Sequence, residues 1–239
     1  MSQIDINKYL LVKHSEGWNV DRCCLWMEKT GTAYDWCYPV SGQTFPSVDD
    51  YDGVIVFGGA PSANDCQEHQ WVRDELAFIE ACLKVEKPFF GICLGAQMLA
   101  RVMGATVSTH PEDHKEIGFH EVKPTTAGAG FLNHPLKFMQ WHTEGFELPS
   151  GAIHLAHSDL FSNQAYSVGE HAVGVQFHPE VNLDVLRLWH ERNKALPTGV
   201  LNDDERAAHI ADAIECELSI TAWLDHFLTG WTSLSAKAA

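Results

Sequence analysis

Cys93 lies in the stretch Gly91-Ile-Cys-Leu-Gly95, between a short apolar run and a segment of helical composition. A strand that turns sharply into a helix through glycine, any residue, nucleophile, any residue and glycine is a nucleophile elbow, here built with cysteine. The glycines leave room where the strand and the helix pack closely, and the tip side chain projects from the sheet. The positive end of the helix favours a thiolate at this position. The pattern therefore indicates a nucleophile, although a cysteine taken alone is more often a small buried residue.

A base for this nucleophile is available in the segment that contains His178 and Glu180. The apolar run Val173–Phe177 predicts a strand with His178 at its C-terminal end, and the C-terminal ends of parallel strands share the edge where ligands bind. An imidazole beside a thiol can take its proton and later protonate a leaving amine. Glu180 follows through a proline that fixes the turn, so its carboxylate can hold the imidazole in one tautomer. A lone histidine is usually structural, but the combination with the elbow predicts a Cys-His-Glu triad.

Acyl transfer also needs hydrogen-bond donors directed at the developing oxyanion. The N–H of Leu94, next to the nucleophile, and the N–H of Gly59, in the loop after the preceding strand, are the two candidates. Glycine at positions 58 and 59 lets the backbone come close to a substrate, so we expect Gly58 to line the substrate site. A Gly-Gly pair is also common in ordinary strand-to-loop turns. The pair supports an oxyanion hole here only because it lies in the loop after the strand that precedes the elbow.

The elements that must position these residues alternate between strands and helices in the first half of the chain. Strands are predicted at 8–13, 33–38, 54–57 and 88–92, and helices at 18–30, at 65–84 and from the elbow to Met103. The apolar face of the first helix contains Trp18, Val20, Cys24 and Met27. The alternation predicts an α/β fold with a doubly wound, mostly parallel sheet.

After Gly104 the pattern changes to short strands separated by turn residues, which predicts an antiparallel extension of the sheet. These strands are expected at 105–109, 118–123, 136–141, 152–156, 164–168 and 172–177. Helices return at 181–194 and 203–228, where Asn202 or Asp203 can cap a helix whose apolar stripe includes Ile214 and Leu218. We expect one domain over residues 1–239, with C-terminal helices at about 181–230 and a loose tail at 235–239.

The net charge and the cysteines indicate which partners the protein is expected to bind and in which compartment it is expected to work. The net charge of −16 over 239 residues should repel nucleic acid and anionic membranes, so neither is expected as a partner. No run approaches the roughly 20 apolar residues that cross a bilayer, and the first residues lack the apolar core of a secretory signal. Seven cysteines, an odd number spread along the chain, fit free thiols in a reducing cytoplasm.

Histidines 110, 114 and 120 invite a metal-site interpretation, since histidine is a common ligand of Zn²⁺. They fall in a predicted loop region without a matching cysteine or carboxylate pattern. The solvated-loop interpretation is therefore preferred, and we expect no metal and no cofactor.

Three motifs in this order and at this spacing resemble the class I glutamine amidotransferases: Phe57-Gly-Gly-Ala-Pro-Ser, Gly91-Ile-Cys-Leu-Gly-Ala-Gln97 and Gln176-Phe-His-Pro-Glu-Val181. The resemblance covers roughly residues 8–190 and implies a flavodoxin-like fold. It also implies attack of a cysteine on the γ-carboxamide of glutamine, a γ-glutamyl thioester, and release of ammonia and glutamate. In this chain Cys93 would be the nucleophile, His178 the base and then the acid, and Glu180 the orienting residue. Gly59 and Leu94 would form the oxyanion hole.

The resemblance extends to residues that contact the substrate. Gln97, on the first turn of the elbow helix, matches a residue that contacts the glutamyl group. The segment that begins at Trp141-His-Thr-Glu resembles the one that binds the amino-acid end of glutamine, so His142, Thr143 and Glu144 are candidate contacts. Thr143-Glu144 departs from the usual family sequence, in which glycine-aspartate or serine with an apolar residue follows the histidine. Glu144 could still pair with the substrate ammonium group.

Three functions remain open at this point. The first is a free-standing hydrolase of γ-glutamyl amines or peptides, since the chain is similar to free-standing relatives of the GMP synthase glutaminase domain and to γ-glutamyl peptidases. The second is a glutaminase that supplies ammonia to a synthase, expected to be a separate protein. The third is a binding protein that keeps the fold without catalysis, which the presence of all three triad residues argues against.

Overall fold

A computed structural model describes residues 7–16, 19–194 and 201–235. Within these ranges the chain forms eleven strands and five α-helices. The strands are β1 (Lys8–Val12), β2 (Ala33–Cys37), β3 (Gly53–Val56), β4 (Phe89–Ile92), β5 (Val107–Thr109), β6 (Glu116–Pro124), β7 (Leu136–His142), β8 (Glu144–Phe146), β9 (Ile153–His157), β10 (Ala165–Val168) and β11 (Ala172–Val175). The helices are α1 (Arg22–Thr30), α2 (Gln70–Lys84), α3 (Leu94–Val102), α4 (Leu183–Lys194) and α5 (Asp203–Ser235).

Nine strands form one sheet in the order β2-β1-β3-β4-β11-β10-β9-β6-β7. The first five strands in this order are parallel to one another, and the remaining strands pair antiparallel. The predicted mostly parallel sheet with an antiparallel extension is confirmed. Two details of the prediction were wrong. β5 pairs with β8 in a separate two-stranded sheet, and β11, expected in the antiparallel part, runs parallel to β4.

Helices cover both faces of the parallel strands. Successive side chains of a strand point to opposite faces, and β1 shows the result: Tyr9 and Leu11 enter one apolar cluster, whereas Leu10 and Val12 enter the other. The first cluster includes buried residues of α1 and α5, namely Cys23, Met27, Leu224 and Leu228. The second includes buried residues of α2 and α3, namely Val72, Ile79, Met98 and Leu99. β1 is therefore apolar from Tyr9 to Val12, where both of its faces are buried.

Two helices of the first half begin later than the sequence predicted. The side chain of Asp21 accepts a hydrogen bond from the Cys24 N–H and caps α1, so the helix begins at Arg22. Val20, expected on the apolar face, precedes the helix and is exposed, and Trp18 lies outside the described residues. α2 begins at Gln70 because residues 62–69 form turns, in which the Asp65 carboxylate accepts from the Ser62 N–H.

The C-terminal helices differ from prediction at their ends and on their surface. The Asn202 side chain accepts from the Glu205 N–H and the Glu205 carboxylate accepts from the Asn202 N–H, which confirms the predicted cap as a reciprocal capping box. α5 continues to Ser235, and residues 236–239 of the predicted tail lie outside the described residues. Ile214 and Leu218 were wrongly placed on the buried stripe; they are 62% and 84% exposed because α5 buries only one side. No helix in the described ranges has the length and apolar composition required to cross a membrane.

Candidate active site

Cys93 is the single residue between β4 and α3, at the C-terminal edge of the sheet. Its backbone has φ 50° and ψ −104°, a conformation that non-glycine residues rarely adopt and that costs energy. The conformation is held by its own hydrogen bonds, from the Cys93 N–H to the Val175 carbonyl at 2.7 Å and from the Gln97 N–H to the Cys93 carbonyl at 2.9 Å. The strand, turn and helix that the sequence predicted around Cys93 are confirmed.

The two glycines of the elbow are required by close backbone contacts. A Cβ atom on Gly91 would lie 2.7 Å from the carbonyl carbon of Gly95. A Cβ atom on Gly95 would lie 2.3 Å from the carbonyl oxygen of Val56, on the neighbouring strand β3. Both distances are shorter than non-bonded atoms tolerate, so the predicted steric reason for the glycines is confirmed.

His178 follows β11, and its N–H donates to the Met139 carbonyl at 2.8 Å. Its Nδ1 lies 2.8 Å from Glu180 Oε1, and both side chains are buried. Burial alone would lower the His178 pKa, but the charges of Glu180 and Cys93 and hydrogen bonds to both raise it to about 10. An Nδ1–H that donates to the carboxylate leaves Nε2 for the sulfur, and the raised pKa favours an imidazolium at neutral pH.

Gly58 lies against the side chains of Cys93 and His178. A Cβ atom on this residue would lie 2.6 Å from His178 Cε1 and 3.4 Å from Cys93 Cβ. The neighbouring Gly59 approaches the first residue of α3, since its Cβ would lie 2.8 Å from Leu94 Cδ2. The structure thus brings together the predicted nucleophile, the predicted base with its carboxylate, and both backbone segments that were predicted to line the oxyanion.

The family model described as "Glutamine amidotransferase class-I" matches residues 19–194, a range that contains this cluster. The chain belongs to this family. Solved structures agree with the assignment: a glutamine amidotransferase from Thermotoga maritima has a TM-score of 0.87 at 28% identity, over 95% of this chain and 98% of that chain. A glutamine amidotransferase from Methylobacillus flagellatus has a TM-score of 0.84 at 25% identity, over 97% of this chain and 95% of the other.

Curated relatives include an amidotransferase-like protein, a γ-glutamyl peptidase and a GMP synthase. The glutamine amidotransferase-like protein YfeJ of Salmonella typhimurium is 29% identical over 67% of this chain and 70% of its own length. γ-Glutamyl peptidase 5 of Arabidopsis thaliana is 29% identical over 65% of each chain. The glutamine-hydrolysing GMP synthase of Vibrio cholerae is 32% identical over 54% of this chain but only 24% of the synthase.

In this structure, the predicted substrate contact Gln97 forms hydrogen bonds with other parts of the protein. Its Nε2 donates to the Glu144 carbonyl at 3.0 Å and to Gln176 Oε1 at 3.2 Å. Gln176, to which the sequence analysis assigned no role, directs its own Nε2 at Cys93 Sγ over 3.6 Å. Gln97 and Gln176 therefore link Cys93 to the segment of Thr143, which is exposed, and Glu144, which is half-buried.

His142 is fixed between two acceptors at the end of β7. Its Nδ1 lies 2.9 Å from the Glu144 carbonyl, and its Nε2 lies 3.1 Å from Glu116 Oε2. The Glu116 carboxylate is 1% exposed and also accepts from Ser158 Oγ and Gln164 Nε2. Burial would raise the Glu116 pKa, but the hydrogen bonds from His142 and Ser158 lower it overall. Glu116 therefore acts as the buried anchor of the candidate substrate segment.

Arg22 is a site residue that the sequence analysis missed. Its backbone N–H donates to the Glu180 carbonyl at 2.8 Å, and its guanidinium donates to the carbonyls of Pro179 and Val181. The other side of the guanidinium pairs with Glu217 of α5 at 2.7 Å. Arg22 thus connects the turn that contains Glu180 to the C-terminal helix. Neither residue type nor spacing signals this contact, because Glu217 is far away in the sequence.

One group among the described residues brings metal-ligating atoms together. His110, Glu112 and His114, in the loop between β5 and β6, place one ligand atom each within 4.8 Å of one another. His114 Nε2 already lies 2.9 Å from the Glu112 carboxylate, and Glu112 is exposed. His120 was wrongly expected in the same loop; it lies on β6. The absence of a metal site stays a prediction from the sequence.

Proposed function

We propose that this protein hydrolyses γ-glutamyl amide bonds through a thioester on Cys93. The observation that carries the proposal is the meeting of Cys93, the buried His178–Glu180 pair and Gly58 at one edge of the sheet. Membership of the class I glutamine amidotransferases supports the same chemistry. The roles assigned to individual residues are part of the proposal.

The first half of the reaction acylates the cysteine. The Cys93 sulfur attacks the γ-carbonyl carbon, and the carbonyl oxygen becomes an oxyanion that accepts hydrogen bonds from the Leu94 and Gly59 N–H groups. When the tetrahedral intermediate collapses, the C–N bond breaks and the His178 imidazolium gives its proton to the departing nitrogen. Ammonia or an amine leaves, and the γ-glutamyl group remains as a thioester.

The second half restores the enzyme. His178, now neutral, takes a proton from water as the water oxygen attacks the thioester carbon. The C–S bond breaks, glutamate is released, and the sulfur leaves as the thiolate beside the imidazolium. Glu180 stays ionised throughout and stabilises the imidazolium by the hydrogen bond to Nδ1.

The amino-acid end of the substrate is assigned to the segment His142–Thr143–Glu144. The half-buried Glu144 offers a carboxylate for the substrate ammonium group, and the Gln97 contact to its carbonyl keeps the segment beside Cys93. His142, held by Glu116, supports the segment from the other side.

The leaving group separates two forms of this function. Similarity to γ-glutamyl peptidases over 65% of their length supports a free-standing hydrolase that releases an amine or an amino acid. Similarity to GMP synthase supports the second candidate, a glutaminase that supplies ammonia to a separate synthase. We favour the first and propose that the chain works as one domain, because α5 contacts the triad turn through Glu217 and Arg22.

Glutamate release by the purified protein tests the proposal. Substrates are glutamine, γ-glutamyl amines and γ-glutamyl dipeptides; Cys93→Ser is the inactive variant and Cys66→Ser, a half-buried thiol outside the cluster, is the matched control. Turnover of a γ-glutamyl amine or dipeptide with glutamine a poor substrate supports the hydrolase. Turnover of glutamine alone supports the glutaminase. A Cys93→Ser protein as active as wild type contradicts the proposal.

A further inference from the structure

A third buried histidine–carboxylate pair, besides His178–Glu180 and His142–Glu116, lies behind the loop that contains Gly58 and Gly59. His14, two residues after β1, has a side chain that is 1% exposed, and that of Glu75, on α2, is 0% exposed. His14 Nε2 lies 3.1 and 3.0 Å from the two carboxylate oxygens of Glu75, and Nδ1 lies 3.1 Å from the Gly58 carbonyl oxygen. The sequence analysis assigned a role to neither residue.

Both ring nitrogens of His14 face acceptors, which determines the charge of the ring. A neutral imidazole has one N–H, so one nitrogen lone pair would face an oxygen; an imidazolium donates to both partners. Burial would lower the His14 pKa, but the charge and hydrogen bond of Glu75, together with the carbonyls of Gly58 and Phe57, raise it overall. We therefore treat the pair as imidazolium and carboxylate.

The hydrogen bond between His14 Nδ1 and the Gly58 carbonyl fixes the peptide group that joins Gly58 to Gly59. The described peptide bonds are trans, so the Gly58 C=O and the Gly59 N–H point in opposite directions, and a carbonyl bound to His14 directs the N–H away from His14. The loop has little freedom to turn: a Cβ atom on Gly59 would lie 2.9 Å from His14 Cβ and 2.8 Å from Leu94 Cδ2. On the other side, a Cβ atom on Gly58 would lie 2.6 Å from His178.

A hydrogen bond accepted by a peptide carbonyl also strengthens the N–H of the same peptide as a donor, because the two dipoles polarise each other. The effect is larger when the first donor is charged and the surroundings exclude water. The chain of contacts therefore runs from the Glu75 carboxylate through the His14 imidazolium and the Gly58 carbonyl to the Gly59 N–H.

We propose that His14, oriented by Glu75, is a positioning residue that aligns and polarises the Gly58–Gly59 peptide for the developing oxyanion. The inference rests on the proposed function, since it assigns the Gly59 N–H to the oxyanion hole. It gives a further histidine–carboxylate pair a role in the site: His178–Glu180 serves the nucleophile, and His14–Glu75 serves the peptide that stabilises the intermediate.

A purely structural role for the pair predicts different measurements. A structural pair affects folding, substrate affinity and catalysis together. A positioning pair affects the step in which negative charge develops on oxygen and leaves ground-state binding unchanged. The rate at which iodoacetamide alkylates Cys93 also distinguishes a positioning role from a structural one. Alkylation of sulfur forms no oxyanion, so a positioning role predicts an unchanged rate.

The experiment compares wild type with Glu75→Gln, which keeps the shape of the side chain and removes its charge, and with His14→Asn. Because His14→Asn leaves Glu75 buried without its partner and can fail to fold, the double variant His14→Asn/Glu75→Gln is included. His154→Asn, a histidine on β9 whose Nε2 contacts the Ala156 carbonyl, is the matched control. Folding is checked by circular dichroism and urea unfolding.

For the folded variants we expect kcat to fall roughly 10- to 100-fold, less than the ~10²–10³-fold effect of deleting an oxyanion donor outright. KM and the rate of Cys93 alkylation are expected to stay at wild-type values, and His154→Asn should match wild type. A folded Glu75→Gln or double variant with wild-type kcat overturns the inference, as does a parallel change in KM and alkylation rate. A Cys93→Ser protein that stays active, or a wild type without activity on any γ-glutamyl substrate, overturns the proposed function and this inference with it.

Discussion

Gly95→Ala tests whether the elbow depends on the contact between α3 and β3. The added Cβ would lie 2.3 Å from the carbonyl oxygen of Val56 and 2.8 Å from its Cγ1. A backbone oxygen within a paired strand cannot rotate away, so α3 or β3 must shift. Overpacking of this kind costs about 1–3 kcal/mol, and the rigid neighbour favours the upper end of that range.

Alanine is also the better helix former, which offsets part of this cost by about 1 kcal/mol. The expected net loss in the free energy of unfolding is therefore about 2 kcal/mol for Gly95→Ala. Gly230→Ala is the matched control, because Gly230 is also inside a helix and its added Cβ would meet nothing within 4 Å. We expect this control to gain up to about 1 kcal/mol, which places the two variants roughly 3 kcal/mol apart.

Urea unfolding followed by circular dichroism measures both variants, with the m-value as the check that the same transition is compared. The shift of α3 should also displace Cys93, so kcat of Gly95→Ala should fall, whereas Gly230→Ala should keep wild-type kcat. If Gly95→Ala were as stable as wild type within ~0.5 kcal/mol, the size of a typical neutral substitution, the packing argument for the elbow would be wrong.

Three further substitutions test the electrostatics of the site. The charge of Glu180 contributes to a His178 pKa of about 10, and Glu180→Gln removes it. The high-pH limb of the kcat/KM profile, which reports loss of the His178 proton, should therefore move to lower pH, and kcat should fall about 10²-fold. Arg22→Ala leaves the carbonyls of Pro179 and Val181 without their side-chain donor, and urea unfolding should show a loss of roughly 3 kcal/mol. The lowered Glu116 pKa means that its ionised form stabilises the fold above pH 4.5 and that this contribution is lost as pH falls below 4.5. The difference in unfolding free energy between wild type and Glu116→Gln should therefore shrink in acid.

Each of these predictions has an outcome that contradicts it. An unchanged high-pH limb in Glu180→Gln would mean that the carboxylate does not control the proton on His178. For Arg22→Ala the comparison is Lys29→Ala, which removes an exposed pair with Asp225 and should change stability by less than about 1 kcal/mol. Equal losses in these two variants would refute the role given to the buried guanidinium. A Glu116→Gln difference that grows in acid would have the wrong sign.

The sequence was sufficient for those parts of the fold that short patterns determine. The elbow could be predicted because glycines on both sides of a nucleophile have one steric explanation, and the contacts of Gly91 and Gly95 agree with it. The parallel half of the sheet could be predicted because strands buried on both faces are apolar throughout, as β3 is. The last helix was harder: Ile214 and Leu218 look like core residues on a helix that is apolar on several sides, and packing alone decides which side is buried.

The supporting residues could not be predicted because their partners are distant in the chain. His14 meets Glu75 across β1 and α2, and Arg22 meets Glu217 across α1 and α5. Nothing in the types or spacing of these residues distinguishes them from surface charges. Only the structure, in which His14, Glu75 and Arg22 are buried, shows that they belong to the site.

The most direct test of the central claim is a search for the γ-glutamyl thioester itself. The protein is mixed with its best γ-glutamyl substrate, quenched in acid within the first turnover, digested and examined by mass spectrometry. We predict a glutamyl adduct on the peptide that contains Cys93, absent from Cys93→Ser treated in the same way. Glutamate release at full rate with no adduct on Cys93, or with the adduct on another residue, would contradict the account.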